Sequence, residues 1–184
     1  MIKRRTCATL SALMFFLVIG AGLLIAARRT DTSTDPFASW NGTWKGDFIA
    51  YDIQGEERYR IRVEQSYKPA GPGQQSAVFT NHLPDGSIET VHAVNLLRDG
   101  KLICRLRTIG PDGKPIGERT EHRGTRIGPG HIIWHRTIGE HGFETFNEQI
   151  VGDTYWIHGV SVKGSDPQEA EIFEGRYVRV PEQP

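Results

Sequence analysis

Three Asp-Gly pairs, Asp85-Gly86, Asp99-Gly100 and Asp112-Gly113, restrict the fold of this chain more than any other feature. Each puts residues that tolerate positive φ at a turn, and each is flanked by extended-looking sequence, which is the pattern of tight β-hairpins. Gly55, Gly71-Pro72-Gly73, Gly128-Pro129-Gly130, the stretch from Gly139 to Gly142, Gly152-Asp153 and Gly164-Ser165-Asp166-Pro167 add turns at similar intervals. Between these turns the sequence predicts ten strands, over residues 43–52, 58–67, 75–83, 87–97, 101–108, 117–127, 131–138, 143–151, 154–162 and 170–180. No helix-period stretch of comparable strength follows residue 37.

Alternation shows which side chains share a face. Tyr59, Ile61 and Val63 alternate with Arg58, Arg60, Arg62 and Glu64, and Leu102, Cys104 and Leu106 alternate with Arg105 and Arg107. Sequential strands with one dry face each must cover that face, in a sandwich or in a sheet closed on itself. The short connections favour closure, so the expected fold is all-β, an up-and-down antiparallel barrel of about ten strands spanning residues 37–184.

Ahead of it stands a different kind of sequence. Lys3-Arg4-Arg5 precedes a run from Cys7 to Ala27 without a charged residue, long enough for a helix to cross a bilayer, and Arg28-Arg29 closes it. The small-residue spacing of a signal-peptidase site is poorly met at Leu24/Ala26 and Ile25/Ala27, so residues 1–29 read as an uncleaved signal-anchor. The basic residues before the run outnumber those after it, which directs the N-terminus to the cytoplasm and the β domain outside it, periplasmic or extracellular, on the polar linker 30–36. If the segment is cut, the domain is secreted.

Composition narrows the partners. Setting aside five basic and two acidic residues before Pro36 leaves 17 Lys and Arg against 20 Asp and Glu, a net charge of −3 that gives no electrostatic reason to bind nucleic acid. The two cysteines, Cys7 and Cys104, lie in the apolar run and in a predicted strand, so no disulfide between them is expected. Cys104 reads as a small buried hydrophobe.

Gly42-Thr43-Trp44, at the start of the first strand and followed by Gly46, resembles the Gly-x-Trp entrance of the lipocalin and calycin barrels. That resemblance implies that Trp44 packs at the closed end beneath an arginine from a late strand, supplied by Arg176 or Arg179, with Arg176 favoured, and that Gly42, Trp44 and Arg176 form the barrel floor. Gly-Thr-Trp-x-Gly is also similar to the opening of nitrobindin-like haem barrels. Their carboxy-terminal haem histidine has no counterpart, because the last histidine is His158.

Few residues signal chemistry. His131 and His135 would share a face on a helix, but on a strand they stand about 13 Å apart and cannot grip one ion. Neither a metal site nor a cofactor is expected. A nucleophile elbow, a phosphate loop, a dinucleotide fingerprint and spaced cysteine clusters are all missing. Glu148 and His158 stand as a lone acid and a lone base; His158, between Trp156 and Val160 on one face, reads as a core histidine. The segment 117–127, Glu118 to Arg126, has no apolar face, so it is either an exposed ribbon of paired charges or the polar wall of a lumen.

The expected function is non-enzymatic binding of a small, partly apolar ligand in a mixed cavity. Phe48, Tyr59 and Trp134 would form the apolar wall, and His122 with Asn147 or Gln149 the polar one. The alternatives are a structural or partner-binding envelope domain, and a barrel enzyme that would require His122, His135 or His158 beside a carboxylate inside the cavity.

Overall fold

The structure, a computed structural model, describes residues 35–181. The anchor expected over residues 1–29 and the linker as far as residue 34 lie outside the described residues. Among those described, no helix is long and apolar enough to cross a membrane. Ten strands follow one 3-10 turn (Ala38–Trp40): β1 (Gly42–Tyr51), β2 (Glu57–Gly71), β3 (Gln74–His82), β4 (Ile88–Arg98), β5 (Lys101–Ile109), β6 (Pro115–Gly128), β7 (His131–Ile138), β8 (Gly142–Val151), β9 (Thr154–Val162) and β10 (Glu171–Val180). Each pairs antiparallel with its neighbours in sequence, and β1 pairs with β10, from Thr43 opposite Val180 to Tyr51 opposite Ile172. The sheet is therefore a closed barrel with no free edge, the arrangement expected from short sequential connections.

The Asp-Gly pairs act as their chemistry requires. Asp99 and Gly100 both take positive φ, 51° and 71°, in the two-residue turn between β4 and β5. In the wider turns Asp85 Oδ1 accepts hydrogen bonds from the Ser87 amide and hydroxyl, and Asp112 Oδ1 accepts one from the Lys114 amide. β2 and β6 run longer than their sequence patterns indicate and carry register shifts at Pro69/Gly71 and Arg126/Gly128 in their pairings. Such bulges bend a strand and tighten its coil, which helps a sheet of this length to close.

One end of the barrel is plugged. Phe37 and Trp40 of the N-terminal turn are almost wholly buried there, and the Trp44 indole Nε1 donates to the Trp40 carbonyl at 2.7 Å. The Arg179 guanidinium lies 4.0 Å over the Trp44 ring and donates to the carbonyls of Asn41 at 2.6 Å and Ser39 at 3.2 Å. This corrects the choice of Arg176. Alternation along β10 turns Phe173, Tyr177 and Arg179 inward and Arg176 outward, where it lies 4.9 Å over Trp156 on the outer face. Gln75 completes the plug, donating to the Phe37 carbonyl and Asn41 Oδ1 at 3.0 and 2.8 Å.

Candidate functional site

Above the plug the barrel is hollow. A cavity of about 710 Å³ runs from Tyr67, Tyr155 and Tyr177 near the closed end to the Leu83–Asp85 turn at the open end. Its volume suits a small organic ligand. Ten strands make a barrel wide enough that its inward side chains do not meet across it.

Rings form most of the apolar wall. Phe48 stacks on Phe173 with centroids 5.3 Å apart, and Phe146 meets Phe173 at 4.7 Å. Deeper, Tyr155 touches Trp44 and Tyr177 at 5.6 and 5.3 Å. The polar groups here are few and coupled. Tyr67 Oη donates to Gln65 Oε1 at 2.9 Å, and the hydroxyls of Tyr67 and Tyr155 are 3.3 Å apart. Burial pushes both phenols well above their ordinary range, and the Glu148 charge adds to it. Both remain neutral hydrogen-bonding groups at any physiological pH.

Glu148 is the titratable group that this wall perturbs most usefully. Its carboxyl faces the cavity yet is enclosed by protein, so burial pushes its pKa up to about 7, while hydrogen bonding from Tyr155 and Trp134 pulls the other way. Burial wins because two neutral donors replace only part of the hydration a carboxylate loses. Cys104 also lines the space, and burial pushes its thiol far above the reactive range, in keeping with a packing role.

A second polar group lies nearer the open end. His122, 5% exposed, has Nε2 2.8 Å from Glu144 Oε2, and the same oxygen accepts from Arg136 Nε at 2.6 Å. Burial acts to raise the Glu144 pKa, but the hydrogen bonds from His122 and Arg136 outweigh it and hold the carboxyl below its ordinary value. The strand without an apolar face is thus explained. β6 is a regular member of the wall that turns Thr120, His122 and Gly124 inward, and its inward imidazole is satisfied by β8. Of its outward charges, Glu121 pairs at the surface with Arg105 of β5 at 3.0 Å.

Phe48, Tyr59, His122 and Trp134 therefore all border the cavity. Asn147 and Gln149 do not. They project from the outer face of β8, Asn147 Oδ1 lying 2.8 Å from His131 Nε2, because Phe146, Glu148 and Ile150 take the inward positions. His158 is likewise on the outside, exposed and stacked 6.1 Å from Trp156, while Tyr155 and Ile157 point in. His131 and His135 alternate with the inward Ile132 and Trp134 and also face out. Among the described residues no cluster of metal-ligating side chains is assembled.

No protein-family model matches the chain, and no curated protein does. Solved structures do. A crystal structure of Rv2717c from M. tuberculosis is similar over 79% of this chain and 95% of that one, with a TM-score of 0.54 and 12% identity. A de novo designed fluorescence-activating beta barrel matches over 79% of this chain and 98% of its own, with a TM-score of 0.42 and 14% identity. A biogenic amine-binding protein matches over 74% and 62%, with a TM-score of 0.46 and 12% identity. At 12% identity the likeness to Rv2717c shows a shared fold alone.

Proposed function

We propose that this chain is a binding protein of lipocalin or calycin type, whose barrel takes up one small, partly apolar molecule without transforming it. The same reading puts the barrel outside the cytoplasm, held to the membrane by residues 1–29. The observation that supports binding is the cavity of about 710 Å³, walled by rings and closed at one end by Trp44. A domain serving only as scaffold would gain stability by filling that space. The neutral dye Nile red should bind the full chain saturably at one site, and Leu106→Trp, which puts an indole into the lumen, should abolish uptake while the chain stays folded. Non-saturable binding, or binding unchanged in that variant, would place the dye on the surface instead. Alkaline phosphatase fused after Pro184 should be active in a bacterial host if the domain is extracytoplasmic; an inactive fusion refutes that location.

One contact favours a second reading. The imidazole of His122 and the carboxylate of Glu144, 2.8 Å apart inside the barrel, are the pairing a barrel enzyme would use for proton transfer. Arg136 already occupies the same carboxylate oxygen, which suits a structural tie better than a base poised to act. The compound that co-purifies with His122→Asn should be the one that co-purifies with the unaltered chain; different compounds would mean that His122 changes what it binds.

A further inference from the structure

The charges around the cavity are more selective than its shape. Three carboxylates border it, Asp85 and Glu89 at the open end and Glu148 in the deep half, and among the described residues no lysine or arginine does. The two outer ones are engaged, Asp85 by Ser87 and Glu89 by Asn81 Nδ2 at 2.9 Å. Glu148 has no cationic partner among the described residues. Facing it are Tyr155 from β9, Trp134 from β7, Tyr67 from β2, Tyr177 from β10 and Cys104 from β5. All five are neutral near neutral pH, since burial raises the tyrosines and the thiol far above it. Toward the open end, His122, Glu144 and Arg136 satisfy one another, and β1 and β3 bring Phe48 and Phe79, which carry no charge.

A second polar atom is unsatisfied but closed off from the cavity. Asn95 borders the cavity at 7% exposure, and its Nδ2 donates to Gln75 at 2.9 Å, but its Oδ1 meets no donor among the described residues. Asn95 stands opposite Cys104, the residue whose thiol feels the Glu148 charge. Glu148 is different: its carboxyl borders the cavity in an apolar wall with no cation among the described residues to compensate it, so a donor with positive charge is what the space would best receive.

We propose that the cavity selects an apolar or aromatic amine, whose ammonium group is held by Glu148, and whose apolar body fills the space toward Phe48 and Phe146. This rests on the reading of the barrel as a binding protein and names the class of its ligand. An anionic ligand would meet three carboxyl groups and, among the described residues, no lysine or arginine, and the His122 imidazole is already engaged by Glu144, so fatty-acid-like molecules are disfavoured. Because free Glu148 is half protonated near pH 7, a bound ammonium draws off that proton, and affinity rises as the pH rises through this value.

Three isosteric probes test this on the full chain in mild detergent: 1-naphthylmethylamine, 1-naphthylmethanol and 1-naphthoate, with Nile red as a check on the cavity itself. The amine should bind at least about tenfold more tightly than the alcohol near pH 8, the naphthoate should bind weakest, and the amine should lose about tenfold between about pH 8 and pH 6. Glu148→Gln should erase the preference for amine over alcohol while keeping Nile red uptake, which shows the barrel intact. Nile red binding combined with equal or stronger binding of the alcohol or the naphthoate overturns the amine inference and leaves the binding reading standing. Failure of every probe, Nile red included, removes both. The comparison of amine with alcohol in the unaltered chain needs no variant, so misfolding of Glu148→Gln would not rescue the idea.

Discussion

Glu148 occupies a wall of rings, and the folded chain consequently holds its proton more tightly than the unfolded chain does. The sign is the reverse of the usual carboxylate case. With a folded-state pKa of about 7 against an ordinary 4.5, the contribution of the neutral acid is fully present below about pH 4.5 and is lost as pH rises through 7. Urea denaturation should show the unaltered chain losing on the order of 3 kcal/mol more than Glu148→Gln between about pH 4.5 and pH 7.5. Parallel stability profiles for the two chains would show that the carboxyl is hydrated after all. The plug offers a second residue-scale comparison. Arg179→Ala removes the cover over Trp44 and two hydrogen bonds to the N-terminal turn, and should cost roughly 2 kcal/mol. Arg176→Ala, on the outer face, should stay within about 0.5 kcal/mol. Equal effects in thermal melts would contradict the assignment of Arg179 to the floor.

Among the elements, β8 shows why the site was only partly legible in the sequence. Its apolar residues split evenly between the two faces, Phe146 and Ile150 on one and Phe143 and Val151 on the other, and both glutamates share the face of Phe146. Pattern alone therefore favoured Asn147 and Gln149 as the inward polar pair. Register decides otherwise, because Trp134 of β7 stands opposite Phe146 and brings Glu144 and Glu148 inside with it. β10 shows the same limitation on a smaller scale, since Arg176 and Arg179 differ by an odd number of positions and only one of them can face the floor. By contrast, β2 from Arg58 to Glu64 and β5 from Cys104 to Arg107, where apolar and charged residues alternate, were readable directly, as were the ten strands and the closure implied by their short turns. β1 carries a test of that closure. A methyl group at Gly46 would run into the backbone of Arg176 and Tyr177 in β10, so Gly46→Ala should prevent the seam from forming. Far-UV and near-UV circular dichroism should report loss of native structure for that variant, and an unchanged spectrum with an unchanged melting temperature would mean that the two strands are not so closely apposed.

The described residues form a sheet of ten strands whose last edge meets its first, plugged at one end and hollow above the plug. Its exposed apolar side chains, among them Val78, Ile88, Ile116, Val151 and Val178, are spread over β3, β4, β6, β8 and β10. The enclosed apolar surface is instead gathered in one place, the lining of the cavity. Native mass spectrometry of the full chain released from mild detergent addresses this directly. One added mass per chain is expected, either a co-purifying small molecule or, after its removal, a single Nile red, and Leu106→Trp should carry neither. A chain that flies bare, takes up no dye and behaves the same in both forms would contradict the enclosed binding chamber.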